Sequence, residues 1–305
     1  MATTQIDDAV DIITPTEPTS ALPVVRRIGL ADLKDALSKG IADFWAMPTH
    51  VVFLSLIYPV IGLLIGRATF DYEVIPLLYP LAAGFAIVGP FAAIGLYELS
   101  RRREAGMDTS WKHAFDVVHS PSFKSILALG GVLVLMLIVW VGVAHAIYIA
   151  NFGVREPESL PGFLRQVMTT RAGFNLIVVG NLLGFVFAAA AAALSVVAFP
   201  LLLDRNVGVA TAMLTSLSAV ARNPRTMAAW GLIVAVALLL GSLPLFVGLA
   251  VVMPVLGHST WHLYRKVIEP DPGPRPPYEP REKGVRYAAE FPSSLFFPAP
   301  RDDKR

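Results

Sequence analysis

Long runs of apolar residues alternate with short polar segments along most of this chain. A helix needs about 20 apolar residues to cross the core of a bilayer. Four runs approach or exceed this length, at residues 51–66, 74–99, 126–150 and 173–203. A fifth apolar region has Gly241, Ser242 and Pro244 in its middle, and glycine and proline so close together favour a break. The pattern predicts an all-α transmembrane helical bundle whose last two spans are residues 228–240 and 245–264.

The placement of lysine and arginine supports six crossings rather than five. These residues collect in the segments of a membrane protein that face the cytoplasm. With six spans, one face carries most of the basic residues, whereas five spans would divide them almost evenly. We therefore predict a six-span domain at residues 30–264 with both termini in the cytoplasm. Residues 1–29 are predicted to be a disordered tail, and residues 265–305 a proline-rich cytoplasmic tail.

Three segments of the chain share one plan, in which an amphipathic stretch is followed by a proline and then by a span. The stretches are residues 30–45, 111–119 and 212–222, and the prolines are Pro48, Pro121 and Pro224. Proline fits the first turn of the incoming helix, where its missing N–H has no partner to lose. The plan predicts three tandem hairpins, each preceded by a cytoplasmic interfacial helix. The even-numbered spans also share a proline, predicted to kink each of them: Pro90, Pro200 and Pro254.

The first amphipathic stretch predicts a helix lying on the membrane surface. One face is apolar and is predicted to rest on the bilayer: Leu30, Leu33, Leu37, Ile41 and Phe44. The charged residues are predicted to face away from it: Asp32, Lys34, Asp35, Lys39 and Asp43.

Composition removes several classes of protein. The 305 residues are 55% hydrophobic and 16% charged, whereas about a quarter of a soluble domain is charged. The absence of cysteine excludes thiolate metal sites, iron–sulfur clusters and disulfides. The net charge of +2 does not indicate nucleic acid, because the basic residues flank the apolar spans.

The histidines are the strongest candidates for chemistry. His258 and His262 are four residues apart on one helix face, a spacing that can hold a metal ion. No carboxylate is placed with them, however, and Trp261 and Tyr264 beside them favour an aromatic belt at the membrane interface. His145 lies inside the third span, where an ionisable group is a functional candidate by default. A neutral histidine bonded to the backbone is commoner, so we predict no metal site, no cofactor and no catalytic residue.

A charged group ends the second span. Glu98 precedes Arg101, Arg102 and Arg103 at spacings that predict ion pairs along one helix. The functional alternative for Glu98 is a proton or ion site. The arginine triplet is predicted to anchor the topology, and it is a candidate contact for anionic lipid.

Small and amide residues in the fourth span predict close helix contacts. Gly180 and Gly184 form a small-xxx-small pair, and Asn175 and Asn181 can hydrogen-bond across helices.

Three segments resemble one family. They are LKDALSKGIADFWAMP at residues 33–48, GPFAAIGLYELSRRREAG at residues 89–106 and PVLGHSTWHLYRKVIEP at residues 254–270. They resemble the DUF2189 family of predicted bacterial integral membrane proteins, over roughly residues 30–269. The resemblance implies the bacterial inner membrane and no catalytic residues, since the family has no established biochemical function. Some members carry the name cytochrome c oxidase subunit I, but the histidine positions here do not provide the ligands of such a site.

The sequence favours a non-catalytic accessory, scaffold or assembly component, with the lipid bilayer and a membrane protein complex as partners. A place near a respiratory complex is one form of this hypothesis. The alternative is a small transporter or channel whose path is lined by the proline-kinked even-numbered helices. The oligomeric state stays open.

Overall fold

The computed structural model describes residues 22–47, 72–154, 157–244 and 246–271. Over these residues the regular structure is helical, apart from one antiparallel bridge between Val25 and Ile268. The α-helices are α1 (Leu30–Ala46), α2 (Leu78–Ala92), α3 (Ile94–Glu104), α4 (Phe123–Phe152), α5 (Leu160–Thr169), α6 (Arg171–Ser195), α7 (Ala198–Asp204), α8 (Val209–Arg222), α9 (Pro224–Ser242) and α10 (Leu249–Val267). Two 3-10 helices cover Tyr72–Leu77 and Trp111–His119.

Three helical segments of the described residues are long and apolar enough to cross a membrane. They are α4, the continuous stretch of α6 and α7 at Arg171–Asp204, and α9. A fourth is the bent pair Ile75–Gly84 and Ala86–Glu104, if the pair forms one span. Large apolar side chains such as Leu135 and Leu182 remain exposed along these helices, as expected where lipid replaces water. The predicted span at residues 51–66, and Pro48 in front of it, lie outside the described residues.

Two of the predicted proline kinks coincide with real irregularities. The predicted fourth span is interrupted at Val196 and Val197, where Pro200 lacks the N–H that the carbonyl of Val196 would bind. At the same interruption, the backbone N–H of Val197 donates outside its own helix, to Ser216 Oγ of α8 at 3.2 Å. The predicted second span bends by 41° between Gly84 and Ala86, about one turn before Pro90.

The three other described prolines of the predicted pattern occupy different positions relative to their helices. Pro224 occupies the first turn of α9, as predicted. Pro121 lies in the turn before α4, which begins only at Phe123, so its predicted place in the first turn is wrong. Pro254 lies within α10, in the second turn of that helix.

The predicted break in the last apolar region is confirmed. Helix α9 ends at Ser242 and α10 begins at Leu249, and each helix has 19 residues. A Cβ on Gly248 would lie only 2.8 Å from the Cα of Gly241, so the two glycines allow the chain to turn tightly here. Helix α10 is not among the described helices that are apolar enough to span by composition.

Helix α1 packs against α10 and does not use its inner face to rest on a membrane. Its buried residues are Leu33, Ala36, Gly40, Asp43 and Phe44. Helix α1 crosses α10 so closely at Gly40 that a Cβ there would lie 2.7 Å from the Cα of Ser259. The prediction that Asp43 faces away is therefore wrong, because a second face of α1, rotated from the predicted one, is the buried face.

The other two amphipathic stretches are also helical. Residues Trp111–His119 form a 3-10 helix that lies along α3, where Ala114 contacts Gly95. Helix α8 buries Ala212, Ser216 and Ala219 against the bundle.

Several helix ends meet at one end of the molecule, which we call the basal end. Arg101, near the end of α3, donates to the carbonyl of Leu203 in α7, at 2.8 Å. Ser122, in front of α4, contacts the carbonyl of Arg205, just after α7. The opposite end is formed by Ile75, Tyr148 and Phe163, which pack together where α4 ends and α5 begins.

Candidate functional site

Charged and polar side chains, most of them buried, gather at the basal end, and we call this set the basal network. Its members are Asp43, Glu98, Ser100, Arg101, Arg102, Arg103, Glu104, Asp204, His258, Trp261, His262 and Tyr264. A charge taken out of water is costly unless it is paired and hydrogen-bonded. Asp43, Glu104 and Asp204 meet this requirement by accepting from donors on other helices, whereas Glu98 pairs with arginines of its own helix.

Asp43 is the centre of this network because its carboxylate joins three helices. Oδ2 accepts from Ser100 Oγ of α3 at 2.5 Å and from His262 Nε2 of α10 at 2.8 Å. Oδ1 accepts from Arg103 at 2.5 Å. Burial raises the pKa of Asp43, but the hydrogen bonds from His262 and Ser100 outweigh it, and the net pKa lies below its usual value. The carboxylate form is therefore the stable one in the folded protein.

The two histidines of α10 enter the network separately. His258 Nδ1 lies 2.8 Å from Ser100 Oγ. Ser100 gives its only hydroxyl proton to Asp43, so His258 must donate to Ser100 through Nδ1. His262 donates directly to Asp43. The described residues contain no group of three or more histidine or carboxylate side chains placed to hold a metal ion. The sequence indicated no carboxylate near these histidines, whereas the structure brings Asp43 to them.

The predicted ion pairs of the arginine triplet are confirmed, but they lie inside the protein. Glu98 is 2.7 Å from Arg101 and 3.7 Å from Arg102. Arg102 also donates to the carbonyl of Asp108 at 2.8 Å and to Asp116 at 3.2 Å. Because Arg101 and Arg102 are buried, they are not available as the lipid contact considered from the sequence.

The predicted aromatic belt at Trp261 and Tyr264 is wrong. Both side chains are only 1% exposed. Trp261 donates to Glu104 at 2.9 Å, and Tyr264 donates to Asp204 at 2.6 Å. Each ring fills the interior while its polar atom binds a carboxylate, which is how buried Trp and Tyr are usually satisfied.

The described part of the predicted N-terminal tail is extended and bound to the basal end. We call residues 24–28 the strap. Asn223 accepts from the N–H of Ile28 at 2.8 Å and donates to the carbonyl of Arg26 at 3.0 Å. Thr226 donates to the carbonyl of Ile28, and the N–H of Arg26 donates to the carbonyl of Val267 at 2.7 Å. The strap therefore ties the start of α9 to the end of α10.

The remaining candidate residues lie towards the opposite end. His145 is exposed and stacks on Tyr148 with 6.5 Å between the ring centres, far from the other two histidine candidates. Asn175 donates to Asn151 at 2.7 Å, which confirms the predicted cross-helix hydrogen bond of an asparagine. Gly184 packs against Trp140, whereas Gly180 faces open space, so only one glycine of the predicted pair makes a close contact.

Sequence reasoning missed Asp43, Ser100 and Asn223 as structural centres. The signal for Asp43 was its spacing of three residues from Gly40, which places a small residue and an acid on one helix face. Asn223 directly precedes Pro224, and the sequence pattern singled out only the proline of this pair.

Comparison with known proteins indicates that this chain is a membrane protein. The family model described as a predicted integral membrane protein, DUF2189, matches residues 78–204. This match confirms the resemblance over the part of the chain that contains the arginine triplet and Asp204. No curated protein and no solved structure matches the chain.

Proposed function

We propose that this integral membrane protein, which matches the DUF2189 family from Leu78 to Asp204, is a non-catalytic accessory, scaffold or assembly component. Its membrane would be the bacterial inner membrane, and its partner a membrane protein complex, with respiratory complexes as one class to examine. The observation that carries the proposal is an exposed apolar face on a helix that is rigidly fixed to the bundle.

That face belongs to α1. Leu30 and Trp45 are 67% and 79% exposed, and Ile41 is also exposed. These residues share one side of the helix, since 11 and 15 residues correspond to nearly whole numbers of turns. A docking helix must also hold a fixed position. Asp43 and the close contact of Gly40 with α10 fix the position of α1. A rigid helix that presents an apolar stripe is a known form of docking surface.

The basal network supports the same proposal. Its carboxylates and bases are bonded to one another across α1, α3, α7 and α10. Charged groups that are bonded between helices stabilise the relative positions of those helices. A fixed arrangement of helices is what a platform for assembly needs.

The test is affinity purification of the full chain in mild detergent. We expect a defined partner at near-stoichiometric yield, and we expect the double variant Ile41→Ser and Trp45→Ala to lose most of it. Trp111→Ala, which alters another exposed tryptophan on a different element, is the control and should retain the partner.

Recovery of the protein alone would contradict this proposal. It would favour the alternative, a small transporter or channel whose path is lined by the even-numbered helices with Pro90, Pro200 and Pro254, which flux through liposomes would then examine.

We further propose six crossings arranged as three tandem hairpins, with both termini in the cytoplasm. The bridge between Val25 and Ile268 supports an even number, because the first and last described segments pair at one end. Asp43, near the end of α1, contacts Arg103 at the basal end, whereas Ile75 packs at the opposite end, as a first crossing between them requires. Helices α9 and α10 have equal lengths, which favours a final hairpin.

Single cysteines test this topology, because the natural chain contains none. In intact cells, a membrane-impermeant maleimide should label Glu158→Cys, at the start of the α5 region, and should not label Lys39→Cys on α1. Labelling of both positions only after the cells are opened would contradict the arrangement, as would labelling of Lys39→Cys in intact cells.

A further inference from the structure

We propose that the basal end of α9 binds an anionic phospholipid, with its phosphate against Arg27, Arg222 and Arg225 and its acyl chain along the exposed side of α9. This site differs from the arginine triplet that the sequence suggested. It requires α9 to cross the membrane, and it does not depend on the identity of any protein partner.

The basic residues come together through the strap. Asn223 holds the backbone on both sides of Arg27, because it bonds to Arg26 and to Ile28. Arg222 and Arg225 lie directly before and after the Asn223–Pro224 pair. Arg222 also contacts the carbonyl of Val25 in the strap, at 3.4 Å. Residues that are about 195 positions apart in the chain therefore form one basic surface.

The charges on this surface are available to a ligand. Arg26 lies 3.8 Å from Glu269. Within the described part of the chain, Arg27, Arg222 and Arg225 have no carboxylate within ion-pair distance, and all three are exposed. By contrast, Arg101 and Arg102 are buried against Glu98. The planar guanidinium group binds phosphate through two parallel hydrogen bonds, so three such groups favour a phosphate ester.

The apolar half of the site continues from the same point. Leu232 and Leu239 on α9 are 65% and 62% exposed, and Val236 between them is also exposed. These residues and Arg225 lie on one side of the helix, because they are separated by about two, three and four turns. The distance from Arg225 to Leu239 along the axis is about 21 Å, at 1.5 Å per residue. This length suits an acyl chain whose headgroup lies at the arginines.

A lipid headgroup explains this arrangement better than free phosphate. Free phosphate would share the contacts with the arginines but would have no use for the apolar side of α9. Helix α9 is one of the helices that are apolar enough to cross a membrane, and its first turn contains Arg225. The guanidinium groups therefore lie at the depth of the headgroups.

The experiment measures lipid preference with the full-length protein in phosphatidylcholine nanodiscs that contain a minority of phosphatidylglycerol. The readouts are the association of spin-labelled phosphatidylglycerol relative to spin-labelled phosphatidylcholine, and the lipids that native mass spectrometry finds retained. We expect the double variant Arg27→Gln and Arg225→Gln to lose the preference by about fivefold for each arginine. This factor corresponds to ~1 kcal/mol for each basic residue beside an anionic lipid surface.

A double variant with the same change of charge is the control. Arg165→Gln on α5 and Lys34→Gln on α1 alter exposed residues outside the site and should leave the preference unchanged. An equal loss in both double variants would overturn the proposal, because the effect would then follow net charge. An unchanged preference in the Arg27 and Arg225 variant would also overturn it. Inorganic phosphate that displaces the labelled lipid completely would show an ion site without a lipid site, and would contradict the acyl contact.

Discussion

Asp43→Ala is expected to release α1 from the bundle and to lower the free energy of unfolding by about 3 kcal/mol. The carboxylate accepts hydrogen bonds from Ser100, Arg103 and His262, and its removal leaves the buried Ser100 and the largely buried His262 without this acceptor. Loss of one partner from a buried hydrogen bond costs more than the bond itself contributes, because the remaining donors stay unsatisfied. The measurements are thermal unfolding in detergent and the rate at which a protease cuts α1.

Asp35→Ala is the matched control for this prediction. Asp35 is on the same helix and pairs with Lys39 and Lys266, each at 2.9 Å, but these groups lie at the surface. Exposed pairs contribute little, typically below about 1 kcal/mol. If both variants lost stability equally, Asp43 would be one more surface charge and the basal network would have no special role.

Acid should reproduce the effect of the Asp43 variant in the natural protein. Since the folded pKa of Asp43 is below the usual value of 3.8, its contribution is fully present above that value. The contribution is lost as the pH falls through 3.8 towards the lower folded pKa. Protease cutting of α1 should therefore rise in this range, and Asp43→Asn, which cannot ionise, should show the cutting already at neutral pH.

Gly40→Ala should have the second large effect, through shape alone. A Cβ at this position would overlap the Oγ of Ser259 and would lie 2.6 Å from its backbone nitrogen. A flexible side chain could move aside, but the backbone of α10 cannot do so without moving the helix. We expect a loss of about 2 kcal/mol, within the usual range for an overpacked interior, and a displaced α1. Crosslinking between single cysteines on α1 and α10 would report the displacement.

Gly131→Ala is the matched control, and we expect it not to lower the stability of the protein. Gly131 lies in the third turn of α4, and a Cβ there would meet no atom within 4 Å. Alanine forms helix more readily than glycine by about 1 kcal/mol, so this variant should be neutral or slightly more stable. A Gly40→Ala protein as stable as Gly131→Ala would show that α1 and α10 are not in close contact.

Much of the helical organisation could be predicted from the sequence. The apolar runs located α4, the α6–α7 stretch and α9, and the Gly–Pro cluster located the break before α10. Pro224 and Pro200 acted as predicted, since a missing N–H is a local property of the residue. Boundaries were less accurate, and α9 begins four residues before the predicted span. These residues include Pro224, Arg225 and Thr226, which end a hydropathy run before it reaches the start of the helix.

The sequence could not predict the basal network. Glu98 and the arginines were predicted as partners because they lie within one turn of the same helix. The pairing of Asp43 with Ser100 and His262 joins residues 57 and 219 positions apart, which no periodicity connects. Trp261 and Tyr264 were misplaced for the same reason, since an aromatic side chain with one polar atom suits both a membrane interface and a buried carboxylate.

The sequence by itself determined that this chain is a helical membrane protein, because the transfer of apolar runs into a bilayer depends on local composition. Only the tertiary structure decided which face of α1 is buried, which arginines are paired inside and which stay exposed beside α9. Those outcomes depend on the packing of helices that are distant in the chain, where a single close contact such as Gly40 with Ser259 selects one face over its neighbour.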